Sequence, residues 1–282
     1  MQLAVAMDDL HSWPSPFRAR ALASKGLCLA YQMERQRIHD SVCDDPIART
    51  YPPPNKYEAD YNDLVEDLET LLIPHRLVAY HCTRLTPREV TDVRTGGLRM
   101  LSADLLKRRI DHCEEDGHFS SADANWLRSS PHIARTLSDQ TGNRTGRLCY
   151  CPNVSTLRYD SGVYRLFRCW GGEALYLGHE DGPHFMPALR LIGSPKIVQC
   201  AVPFADIMDF VAPFAARFLS QLVADAVEYA EPPPTFDVFA TRDLDPENVL
   251  ELIDFQDPKF AALTLWPTWD ARHQPQVPCH AG

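Results

Sequence analysis

The strongest local signal in this chain is a β-rich run that passes directly into a marked helix start. The run is Leu77-Val78-Ala79-Tyr80-His81-Cys82-Thr83, and Thr86-Pro87-Arg88-Glu89 follows it closely. This tetrapeptide is a capping box with proline at the first helical position, so a helix is expected to begin at Pro87. Gly96-Gly97 can take the left-handed backbone region and end that helix. The pattern predicts a strand–helix unit whose strand carries His81.

The regions on either side of this unit have different patterns. Residues 1–75 lack an alternating strand-like run and predict a helical region. Residues 76–258 mix strand and helix signals and predict one α+β domain, while residues 259–282 are expected to form an irregular arm. Helices are further predicted over 18–40, 61–72, 163–177 (weakened at Gly171-Gly172) and 213–229, from Ser102 towards Glu115, and over a short stretch between 120 and 138. The other predicted strands are 98–101, 147–151, 196–204 and 235–241. Residues 248–255 suit either a strand or a helix.

Composition excludes several classes of protein. The 282 residues include 28 basic and 38 acidic side chains, a formal net charge of −10, which gives no reason to expect a nucleic-acid partner. The chain has no secretory start and no run of about 18 apolar residues, so we expect a soluble, cytoplasmic protein without a membrane partner. Its odd number of scattered cysteines predicts reduced thiols. Cys149 and Cys151 lack the spacing of a zinc site, so no metal is expected.

Three segments, in order, carry a resemblance to a known superfamily. Tyr80-His81-Cys82-Thr83, followed by a helix and by Gly97-Leu98, is similar to the first motif of ADP-ribosyltransferase-like proteins of the His-Tyr-Glu type. That motif reads Tyr-His-Gly-Thr, so Cys82 replaces a glycine. The second motif is similar to Cys149-Tyr150-Cys151 with Ser161-Gly162-Val163-Tyr164. The nearest match to the third, an acidic residue at a late strand, is Asp237, where the family more often has glutamate.

The resemblance implies a fold, a substrate and a set of roles. The fold is α+β, with a split, strongly bent mixed sheet around a cleft for NAD and surrounding helices. The activity is ADP-ribosyl transfer from NAD to an unidentified acceptor macromolecule, or NAD hydrolysis, by a bacterial toxin-like or effector-like enzyme. The resemblance implies three catalytic roles: His81 contacts a ribose hydroxyl, Tyr164 stacks on nicotinamide, and Asp237 stabilises the developing charge, with Glu173 or Glu231 as alternatives to Asp237.

It also implies residues that bind NAD. Tyr150 is a wall or a second stacking ring, Arg84 contacts the pyrophosphate, and Tyr80 and Thr83 lie in the NAD-binding strand.

Elementary chemistry is consistent with these residue types. Cleavage of an N-glycosidic bond develops positive charge on the sugar, so a site must fix the sugar and place negative charge near it. The resemblance therefore predicts that His81, Tyr150 and Tyr164 line one cleft.

Two alternatives stay open. Cys169 precedes Gly171-Gly172, loosely like the nucleophile turn of a cysteine hydrolase, and His179 or His184 would then act as the base. The third interpretation is a binding module that keeps the fold without catalysis.

Overall fold

The computed structural model describes residues 2–138, 145–160, 162–176, 186–208, 213–226, 237–271 and 274–275. The protein is mixed α/β. The chain divides into two compact units. The first unit comprises residues 1–77, 203–205 and 209–234, and the second comprises residues 78–202, 206–208 and 235–282. The described part of the predicted helix 213–229 therefore belongs with the N-terminal helices, and the described part of the arm 259–282 belongs to the second unit. Residues 227–229, 272–273 and 276–282 lie outside the described residues.

The helices are numbered in chain order. They are α1 Ser15–Ala23, α2 Lys25–Val42, α3 Pro46–Thr50, α4 Glu58–Leu72, α5 Pro87–Gly96, α6 Ala103–Glu115, α7 Ser121–Arg128, α8 Pro131–Ser138, α9 Val154–Tyr159, α10 Val163–Arg168, α11 Glu173–Tyr176, α12 Met186–Leu191, α13 Phe214–Val223 and α14 Pro258–Thr264. None of the helices in the described ranges combines the length and the apolar character needed to cross a membrane.

The strands are also numbered in chain order. They are β1 Ala4–Val5, β2 Arg76–Leu85, β3 Leu148–Tyr150, β4 Ser194–Pro203, β5 Ile207–Met208, β6 Val238–Ala240 and β7 Val249–Asp254. Residues 248–255 are thus mainly a strand, after a short 3₁₀ turn at Pro246–Asn248. Of the predicted strand 235–241, residues 235–236 lie outside the described residues.

The first unit is built around helices α1, α2, α4 and α13. Trp13, Phe17 and Phe218 pack edge to face with ring centroids 5.2–5.5 Å apart. The predicted helix over 18–40 is interrupted at Ser24, which leaves helical backbone angles between α1 and α2. Serine is a weak helix former, which suits this break. Strand β1 pairs in parallel with the first two residues of β2, so the N-terminal region is not purely helical.

The second unit contains strands of two sheets. Strands β2, β4 and β7 lie side by side in that order, and β4 runs antiparallel to β7. Strands β3, β6 and β5 form the other sheet, with antiparallel pairs throughout. A single antiparallel bridge between Tyr80 and Cys151 links β2 to the end of β3. The predicted strand 98–101 is reduced to one bridge, between Leu98 and Leu244.

The predicted boundaries of α5 are confirmed. Thr86 Oγ1 accepts from the Glu89 amide, and Glu89 Oε2 accepts from the Thr86 amide at 2.8 Å. Gly97 follows the helix with φ of +78°, and a Cβ there would lie 1.9 Å from the carbonyl oxygen of Leu244. Only glycine fits both that backbone angle and that close approach.

The predicted helix 163–177 is broken. Gly171 and Gly172 have φ of +91° and +66°, so the chain leaves the helical region between α10 and α11. The turn carries Cys169 and Trp170 into a buried apolar cluster beside the inner face of α6. The expected irregular arm also begins with a regular element, α14, which Pro258 starts at its first turn.

Candidate functional site

A cavity of about 500 Å³ opens in the second unit beside β2 and β3. Helices α5 and α6 and the segment before and after α10 complete its wall. Of the seven predicted site residues, it is lined by Tyr80, His81, Thr83, Tyr150 and Asp237. Residues almost 70 positions apart in the sequence meet here because β2 and β3 are bridged at Tyr80 and Cys151.

His81 is held firmly by the neighbouring strand. Its Nδ1 lies 2.9 Å from the carbonyl oxygen of Cys149, and the Tyr150 ring packs edge to face at 6.0 Å. A carbonyl oxygen can only accept, so Nδ1 carries the proton and donates. Burial lowers the pKa of His81, an effect that the Cys149 contact partly offsets and the charge of Arg109 reinforces. The neutral ring therefore keeps Nε2 as a hydrogen-bond acceptor or base.

Tyr150 is a buried wall of the same cavity. Its hydroxyl is buried and makes no hydrogen bond to any described residue. Burial is the main cause that raises the pKa of this phenol above its ordinary value, so the hydroxyl stays protonated. A buried polar atom without a partner is costly, and a ligand that reached it would recover that cost.

Asp237 stands exposed at the entry to β6. Its neighbour Val238 pairs with Tyr150, which places Asp237 level with Cys151. Asp160 also lines the cavity, with Oδ1 accepting from the Gly162 amide at 2.6 Å. The pKa of Cys151 is raised mainly by its hydrogen bond with Cys82 and by burial. The negative charges of Asp237 and Asp160 raise it further. This end of the cavity is negatively charged.

Glu173 and Glu231 are the alternatives to Asp237 as the catalytic carboxylate. The side chain of Glu173 and the whole of Glu231 lie outside the described residues.

A buried ion pair forms another part of the wall. Glu89 Oε1 accepts from Arg109 Nε at 2.6 Å, while Oε2 accepts from Trp170 Nε1 at 2.9 Å. Burial alone would raise the pKa of Glu89, but Arg109 and the surrounding donors lower it, so the carboxylate is ionised. The Arg109 guanidinium also stacks over the Trp170 ring at 4.9 Å. Arg109 Nη2 is buried and bonds to no described residue.

Helix α6 presents a cationic face to the cavity. Leu105, Arg108, Arg109 and His112 follow the i, i+3, i+4, i+7 spacing of one helix face, and all four line the cavity. The adjacent face, with Leu106, Ile110 and Cys113, packs into the core. Arg147 adds positive charge from another element, whereas Arg99 is paired with Asp243 at 3.0 Å. Sequence reasoning missed this face, although its spacing was readable within 103–115.

The structure does not support the role predicted for Arg84. The side chain is 0% exposed and does not line the cavity. Its guanidinium donates to the carbonyl oxygens of Ile192 at 3.0 Å, Phe167 at 3.0 Å and Gly193 at 2.8 Å. Burial lowers its pKa to about 10, so it remains charged at neutral pH. This arginine joins main-chain segments and is not placed to meet a pyrophosphate.

Tyr164 is also displaced from its predicted place. Val163 and Leu166 are the members of α10 that line the cavity, and Tyr164 is not among them. Its ring packs edge to face on Trp269, with centroids 5.6 Å apart. Helical spacing places Val163 and Leu166 on one face and turns Tyr164 away from it. The cleft therefore brings together His81 and Tyr150 but not Tyr164.

The environment of Cys169 disfavours the interpretation as a cysteine hydrolase. Cys169 is completely buried in the apolar cluster, and burial raises the pKa of its thiol. A nucleophilic thiol needs access and an ionised sulfur, and Cys169 has neither. His179 and His184, its proposed bases, lie outside the described residues. The eight cysteines in the described ranges are free, and those ranges contain no cluster of three metal-ligating side chains.

Comparison with known proteins adds no relative. No protein-family model, curated protein or solved structure matches the chain.

Proposed function

We propose that the second unit binds NAD and cleaves its N-glycosidic bond, passing ADP-ribose to an unidentified macromolecular acceptor or to water. The observation that supports this most is the state of His81: a neutral imidazole, oriented by the Cys149 carbonyl, beside a cavity that also holds Asp237. The ADP-ribosyltransferase-like fold is part of the proposal. The bridge between the two sheets at Tyr80 and Cys151, next to the cavity, supports it.

The charges of the cavity suit a dinucleotide with unlike ends. Asp237 and Asp160 face the part of the ligand that carries or develops positive charge, which is the nicotinamide and the sugar attached to it. The α6 face, with Arg108 and Arg109, takes the role first given to Arg84 and meets the pyrophosphate. Arg109 Nη2, buried without a partner among the described residues, gains an acceptor when an anion binds.

An observed placement supports each proposed role. His81 Nε2 accepts a hydrogen bond from a ribose hydroxyl and so fixes the position of the sugar. Asp237 lies near enough to Cys151 to affect its pKa, so its charge reaches the strand end where His81 is held. Tyr150 holds the His81 ring from one side. With Tyr164 turned away, the stacking surface for nicotinamide is left unassigned.

The test is nicotinamide release from NAD by purified protein, separated by chromatography. Loss of one preorganised contact commonly lowers the rate about 10²–10³-fold, so His81→Gln and Asp237→Asn are expected to fall by that much. The matched controls, His118→Gln and Asp245→Asn, remove exposed side chains that do not line the cavity and should retain wild-type rates.

The outcomes separate catalysis through His81 from binding without catalysis. Equal rates for wild type and His81→Gln would remove the proposed mechanism. Binding of NAD without nicotinamide release, measured by calorimetry, would leave the non-catalytic binding module. Neither binding nor release would overturn the proposal as a whole.

A further inference from the structure

Two thiols face each other in the wall of the cavity. The Sγ atoms of Cys82 and Cys151 are 4.0 Å apart, and each residue is only 4% exposed. Tyr80 and Cys151 exchange both main-chain hydrogen bonds at 2.9 Å, which makes them a directly opposed antiparallel pair. Cys82, two residues further along β2, points to the same side of the strand as Tyr80. The thiols are therefore diagonal neighbours on one face.

We propose that Cys82 and Cys151 form a site of reversible oxidation, in which a hydroperoxide that enters the cavity converts the two thiols into a disulfide. Both residues line the cavity, which gives a small oxidant a route to sulfur atoms that are otherwise enclosed. The proposal does not rest on the proposed NAD chemistry, because it concerns the two sulfur atoms alone.

The chemistry balances with hydrogen peroxide as the oxidant. One sulfur gives up its proton and attacks a peroxide oxygen; the O–O bond breaks, a sulfenic acid forms and one water leaves. The second sulfur then attacks the sulfenic sulfur, the S–S bond forms, and the S–O bond breaks to release a second water. The two thiols lose two electrons and two protons, which reduce the peroxide to two molecules of water.

The sulfur atoms of this pair are close, but the spacing of its main chain links oxidation to His81. Diagonal neighbours in an antiparallel pair have Cα atoms roughly 7–8 Å apart, while disulfides usually need about 4.4–6.8 Å. Closing the bond must therefore draw β2 and the end of β3 together. His81 lies between Tyr80 and Cys82, and it donates to the carbonyl of Cys149, two residues before Cys151. Oxidation consequently changes the contact that orients the imidazole.

Burial sets the expected rate. The hydrogen bond with Cys82 and burial raise the pKa of Cys151, which keeps its thiol protonated. Peroxide reacts with the thiolate form, of which a raised pKa leaves only a small fraction, so the pair is expected to oxidise more slowly than exposed Cys43. Once one sulfur is oxidised, the second needs to move only about 2 Å, so closure outpaces over-oxidation.

The test is a peptide map of the protein after graded hydrogen peroxide and alkylation of the remaining thiols. Trypsin cleaves after Arg76 and Arg84 and after Arg147 and Arg158, so Cys82 lies on 77–84 and Cys151 on 148–158. The expected product is these two peptides joined, two hydrogens lighter than their sum and separated by dithiothreitol. Peptide 148–158 also contains Cys149, so fragment ions must place the bond at Cys151.

Variants make the assignment independent of fragmentation. Cys151→Ala should abolish the joined peptide, whereas Cys149→Ala, the matched control on the same peptide, should retain it. In the wild type, oxidation is expected to shift the imidazole resonance of His81, identified by its loss in His81→Gln. A protein in which Cys43 is fully oxidised while 77–84 and 148–158 stay separate would overturn the proposal, as would a bond placed at Cys149. Neither result depends on nicotinamide release.

Discussion

Two arginines of the second unit, Arg84 and Arg109, are both largely withdrawn from solvent but are used differently. Arg84 donates to three main-chain carbonyl oxygens and has no exposed surface. Arg109 binds the Glu89 carboxylate, lines the cavity and has a buried Nη2 that bonds to no described residue. One guanidinium joins parts of the fold, whereas the other keeps a donor that a ligand can use.

The difference teaches where a functional arginine should be sought. Arg84 stands three residues from His81 in the sequence, yet its side chain leads into the core. Arg109 is 28 positions away from His81 along the chain and still acts on its pKa. Proximity to His81 in the sequence therefore predicted the functional arginine less well than proximity in space. Successive strand residues point to opposite faces, so a neighbour in the sequence can face away from the site.

The largest effect is expected from Arg84→Met. Removal of the guanidinium leaves the carbonyls of Ile192, Phe167 and Gly193 without that donor, and each buried unpaired group costs about 1–3 kcal/mol. The free energy of unfolding should fall by about 3–5 kcal/mol, measured by urea denaturation. NAD affinity of the folded fraction should not change. Selective loss of affinity with unchanged stability would reverse the roles of the two arginines.

A smaller loss is expected from Glu89→Gln, which breaks the pair with Arg109. Neutralising a buried, hydrogen-bonded carboxylate should cost about 2–3 kcal/mol at pH 7. The pKa of Glu89 is lowered from 4.5, so its contribution is complete above pH 4.5 and is lost as pH falls through the lower folded-state pKa. Urea curves of the wild type and the variant should therefore converge in acid. A constant difference down to pH 2 would contradict this.

Cys169→Ala tests the region around Arg84 with a milder change. Loss of one buried sulfur from the apolar cluster should cost about 1 kcal/mol, seen as a lower thermal midpoint. Nicotinamide release should match that of the wild type at a temperature where both are folded. Activity that disappeared with this thiol would favour the cysteine hydrolase that the burial of Cys169 disfavours.

The smallest effect on stability is expected from Arg108→Gln. Arg108 is exposed on the cavity face of α6, and no salt bridge among the described residues involves it. Unfolding free energy should stay within about 0.5 kcal/mol, as for most surface changes. The dissociation constant for NAD should rise about tenfold at low salt and less at high salt, since the contact is charged. Exposed Arg94→Gln, outside the cavity lining, serves as the control.

Local signals in the sequence predicted part of the fold well. The Thr86–Glu89 capping box and Gly97 set the limits of α5, because both act through hydrogen bonds and backbone angles within a few residues. The reduction of the predicted strand 98–101 to one bridge depends on Leu244, a partner far along the chain. Periodicity alone does not contain that partner.

The site was predictable to the extent that motifs fix strand positions. His81, Tyr150 and Asp237 reached one cavity because they stand on or beside paired strands. Tyr164 did not, because it was assigned from a motif within a helix, where one step along the chain turns a side chain by about 100°. Glu89 was recognised only as a cap, since its pairing with Arg109 is a contact between two helices.

Gly97 limits how the sequence of this protein can change during evolution. Its φ of +78° and the Leu244 carbonyl 1.9 Å from any added Cβ leave no room for another residue. If codon 97 were randomised and the pool selected for folded protein, glycine alone should be recovered. The constraint is mutual, because the main chain at Leu244 must keep the same path. Position 97 and the Leu244 turn can therefore diverge only together, whatever ligand the neighbouring cavity is selected to hold.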